Sequence, residues 1–312
     1  MCDTRISASD VQVLRIPMST GGLPYSLCYL VTDARAGVHV IDPGSSGDAT
    51  VALIADALQS AGRGFEDVAS ILITHGHADH AGAAPALRAA TGAPVLMHER
   101  ERRRDRLAPA PGTDASSEAQ LEEWGVPLDR RGDLAPDVVP AAATVAPDAV
   151  FRDGDILDIP GRTVRVLWTP GHTVGHACFD DETNGLLYTG DHVLPTVNSG
   201  LGLGGPSADP LGDYLRSLRR VASLSRLALP GHELPFSGLA DRCAALADHQ
   251  LRRTRQVQDA LACDPGASVW EVAQQLTWTA GWSGLSGFTL RSALAQTAMH
   301  RDYLRAGGAL GW

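Results

Sequence analysis

The 312-residue sequence predicts a mixed α+β protein, a sandwich of sheets covered by helices with a helical module appended at its C-terminal end. Three observations predict it. Short β-branched and aromatic runs alternate with turn signals at the start of the chain and again from about residue 156. Amphipathic helical stretches punctuate both runs. Beyond about Gly238 every convincing segment has helical periodicity.

The elements follow in order. Residues 11–18, 25–32 and 38–41 read as strands, separated by Gly21-Gly22-Leu23-Pro24 and by 33–37, with Asp42-Pro43-Gly44 closing the third. Asp48 is placed to cap a helix over 49–60, where Val51, Ile54, Ala55 and Leu58 share one face. A buried strand over 68–74 delivers the chain into His75-Gly76-His77-Ala78-Asp79-His80. A short helix over 85–90 and a strand over 95–98 come next. Residues 99–150 then change character. Arg100, Arg102, Arg103, Arg104 and Arg106 cluster, and Pro/Ala-rich stretches flank a helix from Ser116 through Leu121 to Trp124. This stretch reads as an insertion, either a lid carrying Trp124 over the groove, which is the favoured reading, or a decorated surface. The arginines read as a solvated face balanced by Glu99, Glu101 and Asp105. Strands resume at 156–159, 163–169, 177–180 and 186–189. A glycine loop (198–205), a helix over 211–224 and a last strand over 227–229 lead to Pro230-Gly231-His232-Glu233. Helices are expected over 239–261, 269–276 and 290–304, which divides the chain into a catalytic domain, 1–238, and a C-terminal helical subdomain, 239–312.

Composition narrows the function. With 44% hydrophobic and 20% charged residues, the chain can build a sizeable core and is not globally disordered. All 26 basic residues are arginine, which removes Schiff-base chemistry and any lysine-dependent phosphate loop. A formal charge of −10 argues against non-specific binding to nucleic acid or anionic membranes. Cys2, Cys28, Cys178, Cys243 and Cys263 are scattered and show no C-x-x-C spacing, so they read as reduced thiols. No hydrophobic leader and no apolar run of about 18 residues is present, so a soluble, cytoplasmic protein is expected.

The H-x-H-x-D-H run at 75–80 carries the chemistry. Chance supplies such a match in roughly one chain of this length per thousand. It follows a strand directly, with Gly76 and Ala78 as small spacers. Further ligand types stand after glycines at the ends of later apolar runs: His172 in Thr-Pro-Gly-His-Thr, Asp191 in Tyr-Thr-Gly-Asp-His and His232 in Leu-Pro-Gly-His-Glu.

This ordered set resembles the metallo-β-lactamase superfamily over roughly residues 11–233, with all seven ligand positions filled. The resemblance implies a four-layer αβ/βα sandwich with metals in a shallow groove at one edge of the two sheets. It implies a first metal on His75, His77 and His172, a second on Asp79, His80 and His232, and Asp191 bridging them. An aspartate at 191, where true β-lactamases carry cysteine, is similar to the glyoxalase II, lactonase and ribonuclease branch. The C-terminal helices resemble the winged-helix-like extension of some members, including a mitochondrial endoribonuclease.

The residue chemistry agrees. Imidazoles and carboxylates suit zinc, iron or manganese, whereas calcium wants nearly all-oxygen ligands. Five histidines and two carboxylates exceed one tetrahedral site and suit two metals sharing a carboxylate. Two such metals can hold a bridging hydroxide as nucleophile, with Asp79 orienting it and taking its proton. The expectation is a binuclear hydrolase with two divalent ions, zinc first, acting on a thioester, ester or lactone of a small metabolite. A phosphodiesterase or endoribonuclease is the alternative, and a mononuclear-iron persulfide dioxygenase stands behind it. No G-x-S-x-G supports a serine nucleophile. Residues 241–312 hold seven arginines against six acids, too little for a nucleic-acid footprint. A homodimer is the base-rate expectation for assembly. Among the remaining polar residues, Asp42 reads either as a turn residue or as the partner of a ligand histidine, and His192 as a minority contact to substrate. His39, His98, His176, His249 and His300 read as structural.

Overall fold

The strand-forming runs pair into two sheets. The structure, a computed structural model, describes residues 4–6, 10–18, 23–101, 115–134, 145–203 and 207–312. The first sheet holds its strands in sequence order: β1 (Thr4–Ile6), β2 (Val11–Pro17), β3 (Tyr25–Thr32), β4 (Val38–Ile41), β5 (Val68–Leu72), β6 (Val95–His98) and β7 (Ala149–Phe151). β1 to β4 are antiparallel, with Val13 opposite Tyr29 and Tyr29 opposite Ile41. From β4 to β7 the pairing is parallel, which requires crossovers. α1 (Asp48–Ser60) makes the first of these. The single turn α2 (Ala78–Ala81) and α3 (Ala84–Thr91) make the second.

The second sheet is an antiparallel meander of β8 (Ile156–Leu157), β9 (Val164–Trp168), β10 (Ala177–Asp181) and β11 (Leu186–Gly190). β12 (Leu227–Pro230) joins β11 in parallel after crossing over through α5 (Pro210–Ala222).

Almost every residue of β3 and β11 is buried, because both faces of each sheet are covered. Successive residues still part to opposite faces. Leu27, Tyr29 and Val31 enter the core between the sheets with Val166, Phe179, Tyr188 and Leu229. Cys28 and Leu30 face Ile54 and Leu58 of α1 and Leu87 of α3. On the far side, Leu167 and Leu187 of the second sheet face Leu211, Tyr214 and Leu215 of α5. Helix, sheet, sheet and helix therefore stack as the four expected layers.

Three helices close the chain: α6 (Leu239–Cys263), α7 (Val269–Gln275) and α8 (Gly287–Arg305). Residues 239–312 contain no strand, so of a winged-helix-like extension the helices are present and a strand wing is not. Leu246 and Ala247 of α6 and Tyr303 of α8 share one apolar cluster with α5. No helix among the described residues is long and apolar enough to cross a membrane.

Sequence and structure differ at several points. β1 and β7 leave no signal in the sequence; three residues each are too few for a period to register. Gly47, not Asp48, holds the cap position of α1, because the chain enters there at φ 140°, where glycine carries no steric cost. Asp48 sits in the first turn, where its charge still suits the helix dipole. β5 ends at Leu72, short of the expected Thr74, whose N–H turns to the Asp42 carboxylate. Trp124 does not overhang the site. After α4 (Ala115–Glu123) it is 6% exposed and packs with Trp270, Leu290 and Leu294 of the C-terminal helices. Most of the arginine cluster and the rest of the insertion, at 102–114 and 135–144, lie outside the described residues.

Candidate metal centre

The 75–80 run divides because its second half is helical. His75 and His77 precede α2 and point one way, whereas Asp79 and His80 lie within its single turn and point another. His172 comes from the loop between β9 and β10, Asp191 directly follows β11, and His232 lies two residues past the end of β12.

These side chains meet in two groups. His75 Nε2 lies 3.0 Å from His77 Nδ1, and His172 Nε2 lies 3.0 Å from His77 Nδ1 and 3.3 Å from His75 Nε2. Asp191 Oδ2 approaches His172 Nε2 at 3.7 Å and His75 Nε2 at 4.0 Å. In the second group, His80 Nε2 and His232 Nε2 are 3.2 Å apart, with Asp79 Oδ2 at 3.6 and 3.3 Å. Asp191 reaches this group too, with Oδ1 3.4 Å from His80 and Oδ2 3.4 Å from His232. Glycine permits the approach: a Cβ on Gly231 would run into Asp191 Oδ1 and the His80 ring.

The outward nitrogen of each ring is held by oxygen. His77 Nε2–H donates to the Leu203 carbonyl at 3.2 Å, His172 Nδ1–H to the Gly200 carbonyl at 2.7 Å and His232 Nδ1–H to the Tyr25 carbonyl at 3.0 Å. His80 Nδ1–H donates to Asp42 Oδ2 at 3.1 Å. His75 Nδ1–H donates at 3.0 Å to the Thr74 hydroxyl, which itself donates to Asp42 Oδ2 at 2.6 Å. Carbonyls and carboxylates only accept, so the outward nitrogens carry the protons and fix the tautomers.

In the first group this leaves three lone pairs facing one another, an arrangement with no hydrogen bond to gain. Burial, then the neighbouring His80, His77 and His172, holds the His75 pKa well below the usual imidazole value, and burial lowers that of His172. The second group is charged. Burial opposes ionisation of Asp191 and Asp79, but His232 and His80 hold both carboxyls below their usual range. Burial likewise opposes charge on His80 and His232, but Asp191 and Asp79 lift His80 well above its usual value and His232 to about 10. Asp191 Oδ1 is buried and has no hydrogen-bond partner. Facing lone pairs, ionised carboxylates and an orphaned oxygen all fit divalent cations.

Asp42 proves to be both turn residue and partner. It sits at φ 51°, and its carboxylate takes the Thr74 N–H, the Thr74 hydroxyl and His80 Nδ1–H. His192 does not face the site. It is fully buried against the Tyr214 ring, 5.1 Å away, and burial pulls its pKa to about 3. Thr74 was missed by sequence reasoning; its position between a strand and the first histidine is the available signal. A cavity of about 500 Å³ opens beside His232, lined by Leu23, Pro24, Tyr25, Pro195, Leu234 and Phe236 among others.

Two sheets flanked by helices, with histidine and aspartate clusters at the strand ends, define a four-layer αβ/βα protein with a candidate metal centre. A sequence model of the metallo-beta-lactamase superfamily matches residues 21–232, and the chain belongs to that superfamily. A metallo-beta-lactamase family protein of Thermus thermophilus is 30% identical in sequence and superposes with a TM-score of 0.73, over 96% of this chain and 94% of that one. An atrochrysone carboxyl ACP thioesterase of Aspergillus fumigatus is 36% identical over 110 residues, which are 35% of this chain and 33% of that protein. A lactamase-like protein nscB of Arthroderma benhamiae is 38% identical over 109 residues, which are 35% of this chain and 23% of that protein. The chain thus spans about a third or less of the length of these two curated relatives. The fold implies divalent metal ions, and the histidine and aspartate clusters can hold them.

Proposed function

We propose that this chain is a binuclear metal-dependent hydrolase of an acyl bond, foremost a thioester, in a small metabolite. The observation that carries the reading is the position of Asp191, whose carboxylate reaches both side-chain groups. His75, His77 and His172 would hold one cation, and Asp79, His80 and His232 the other, with Asp191 shared between them. Zinc suits this donor set best, and iron or manganese would be accepted. The chemistry supplied by two divalent cations is Lewis-acid activation of water and of the scissile carbonyl.

The chain's own residues supply the rest. Asp79 keeps 24% of its side chain exposed, more than Asp191, so it faces the opening and is placed to orient a water and take up its proton. The outward carbonyls and Asp42 keep each imidazole from rotating. Among the described residues, the cavity beside His232 is lined mainly by apolar side chains, with Thr196, His232 and Glu233 and no arginine, which favours an uncharged acyl group over a phosphate-rich strand. The thioesterase relative, by its name, acts on an acyl thioester, which supports the same choice.

Turnover of an acyl thioester, a lactone and an activated phosphodiester by metal-loaded protein, with Asp191→Ala as control, tests this reading. Hydrolysis of the carbonyl substrates alone is expected. Cleavage of the phosphodiester alone would replace the acyl reading with a nuclease. One iron per chain together with oxygen uptake would replace it with a dioxygenase.

A further inference from the structure

Glu101 belongs to an arginine-rich run that reads as a solvated face, yet it is 2% exposed. The chain turns after β6, with the Glu101 N–H on the His98 carbonyl at 2.9 Å, and the side chain enters the protein. Its Oε1 accepts the Gly76 N–H at 2.8 Å. Its Oε2 accepts the Thr173 hydroxyl at 3.0 Å and the Gly175 N–H at 2.9 Å. Gly76 lies between His75 and His77, and Thr173 directly follows His172. One carboxylate therefore ties together the two loops that supply the first group of imidazoles.

The chemistry of the contact explains the residue. A buried carboxylate is costly unless donors meet it, and donors meet both oxygens here. The two-oxygen, acceptor-only fork serves loops on either side, whereas a carboxamide has one oxygen and adds donors of its own. Gly175 makes the approach feasible, since a Cβ there would collide with the Glu101 backbone and side chain. The Ala177 N–H to Thr74 carbonyl bond, 2.9 Å, joins the same two segments farther along, at the start of β10. The second group is anchored elsewhere, His80 on Asp42 and His232 on the Tyr25 carbonyl.

We propose that Glu101 is a positioning residue for the first cation: it sets the separation of His75 and His77 from His172 without touching the cation itself. The inference rests on the metal-centre reading but not on the choice of substrate, so it is tested by affinity and not by turnover. Zn2+ binding would be measured by competition with a chromophoric chelator on the full chain. Two backgrounds isolate the groups: His232→Ala weakens the second, and His172→Ala the first. In the His232→Ala background, Glu101→Gln is expected to weaken Zn2+ binding by about 10- to 100-fold, the usual effect of removing an outer partner of a metal ligand. In the His172→Ala background it is expected to leave binding unchanged. Thr173→Val, which removes one donor and keeps the carboxylate, is expected to act in the same direction to a smaller extent, and it carries the test if Glu101→Gln does not fold. Equal weakening in both backgrounds would mean that Glu101 only stabilises the fold, and no weakening in either would likewise overturn the proposal. A parent chain that binds no Zn2+ would overturn the metal-centre reading as well, before any substitution is made.

Discussion

The Asp42 carboxylate takes both hydrogen-bond donors of Thr74, the backbone N–H at 2.8 Å and the hydroxyl at 2.6 Å. Thr74 in turn accepts from His75, and Asp42 accepts from His80. One aspartate therefore orients a histidine in each of the two groups, which explains why the chain tolerates a left-handed backbone at φ 51° there. Asp42→Asn would set an N–H2 against donors it cannot accept from. Metal affinity is expected to fall by about 10- to 100-fold at both positions, in contrast to the one-sided loss expected for Glu101→Gln. Thr74→Val leaves His80 anchored and should weaken the first position alone. Zn2+ titration of the two variants checks the difference.

Asp79 and Asp191 are both ionised carboxylates beside the same histidines, but they differ in access. Asp191 is enclosed by both groups, and Asp79 faces the opening. Asp191→Ala is expected to reduce the bound metal below two per chain and to lower kcat/KM by more than about 100-fold. Asp79→Asn keeps an oxygen for the second cation, so at saturating Zn2+ it should retain metal while kcat drops by about 10²- to 10⁴-fold with little change in KM, as loss of a positioned general base requires. Full activity in Asp79→Asn would remove that role from the residue.

Trp124 joins the insertion to the C-terminal helices, its backbone carbonyl accepting the Trp270 backbone N–H at 2.9 Å. Its ring is core, so Trp124→Ala should cost about 3–5 kcal/mol of stability. KM for a small acyl substrate should stay as it is, because the ring does not border the cavity beside His232. Thermal melts and a substrate titration separate the outcomes: a large rise in KM at unchanged stability would restore the lid.

What the sequence revealed, and what it hid, follows from where the information lies. The seven side chains that it places at the site converge in the structure, because strand ends with a glycine before the ligand are local features. Three of the five outward ring partners are backbone carbonyls, of Leu203, Gly200 and Tyr25, and any residue type can supply a carbonyl. Glu101 reads wrongly from the sequence because charge pattern reports exposure only on average, and a single carboxylate turned inward by a loop leaves that pattern intact. Leu121 of α4 and Trp124 just after it announce a buried contact without naming its partner, so Trp124 could be assigned to the wrong one.

His300 gives the fold an acid limit independent of the metal centre. It is buried within α8, its Nδ1–H donating to the Thr254 hydroxyl of α6 at 2.9 Å, with Nε2 unpartnered. Burial, then the charges of Arg253 and His249, pulls its pKa from 6.5 to about 3. The folded state therefore keeps the ring neutral where the unfolded chain protonates it. Its contribution is fully present above pH about 6.5 and is lost as pH falls toward about 3. The full excursion amounts to about 5 kcal/mol, of which about 2 kcal/mol is lost by pH 5. His300→Gln keeps a donor for Thr254 and removes the titration, so its stability should be lower than the parent's at pH 7 and should change less between pH 7 and pH 5. Urea midpoints of the two proteins at both pH values measure this directly, and parallel slopes would place the acid sensitivity elsewhere.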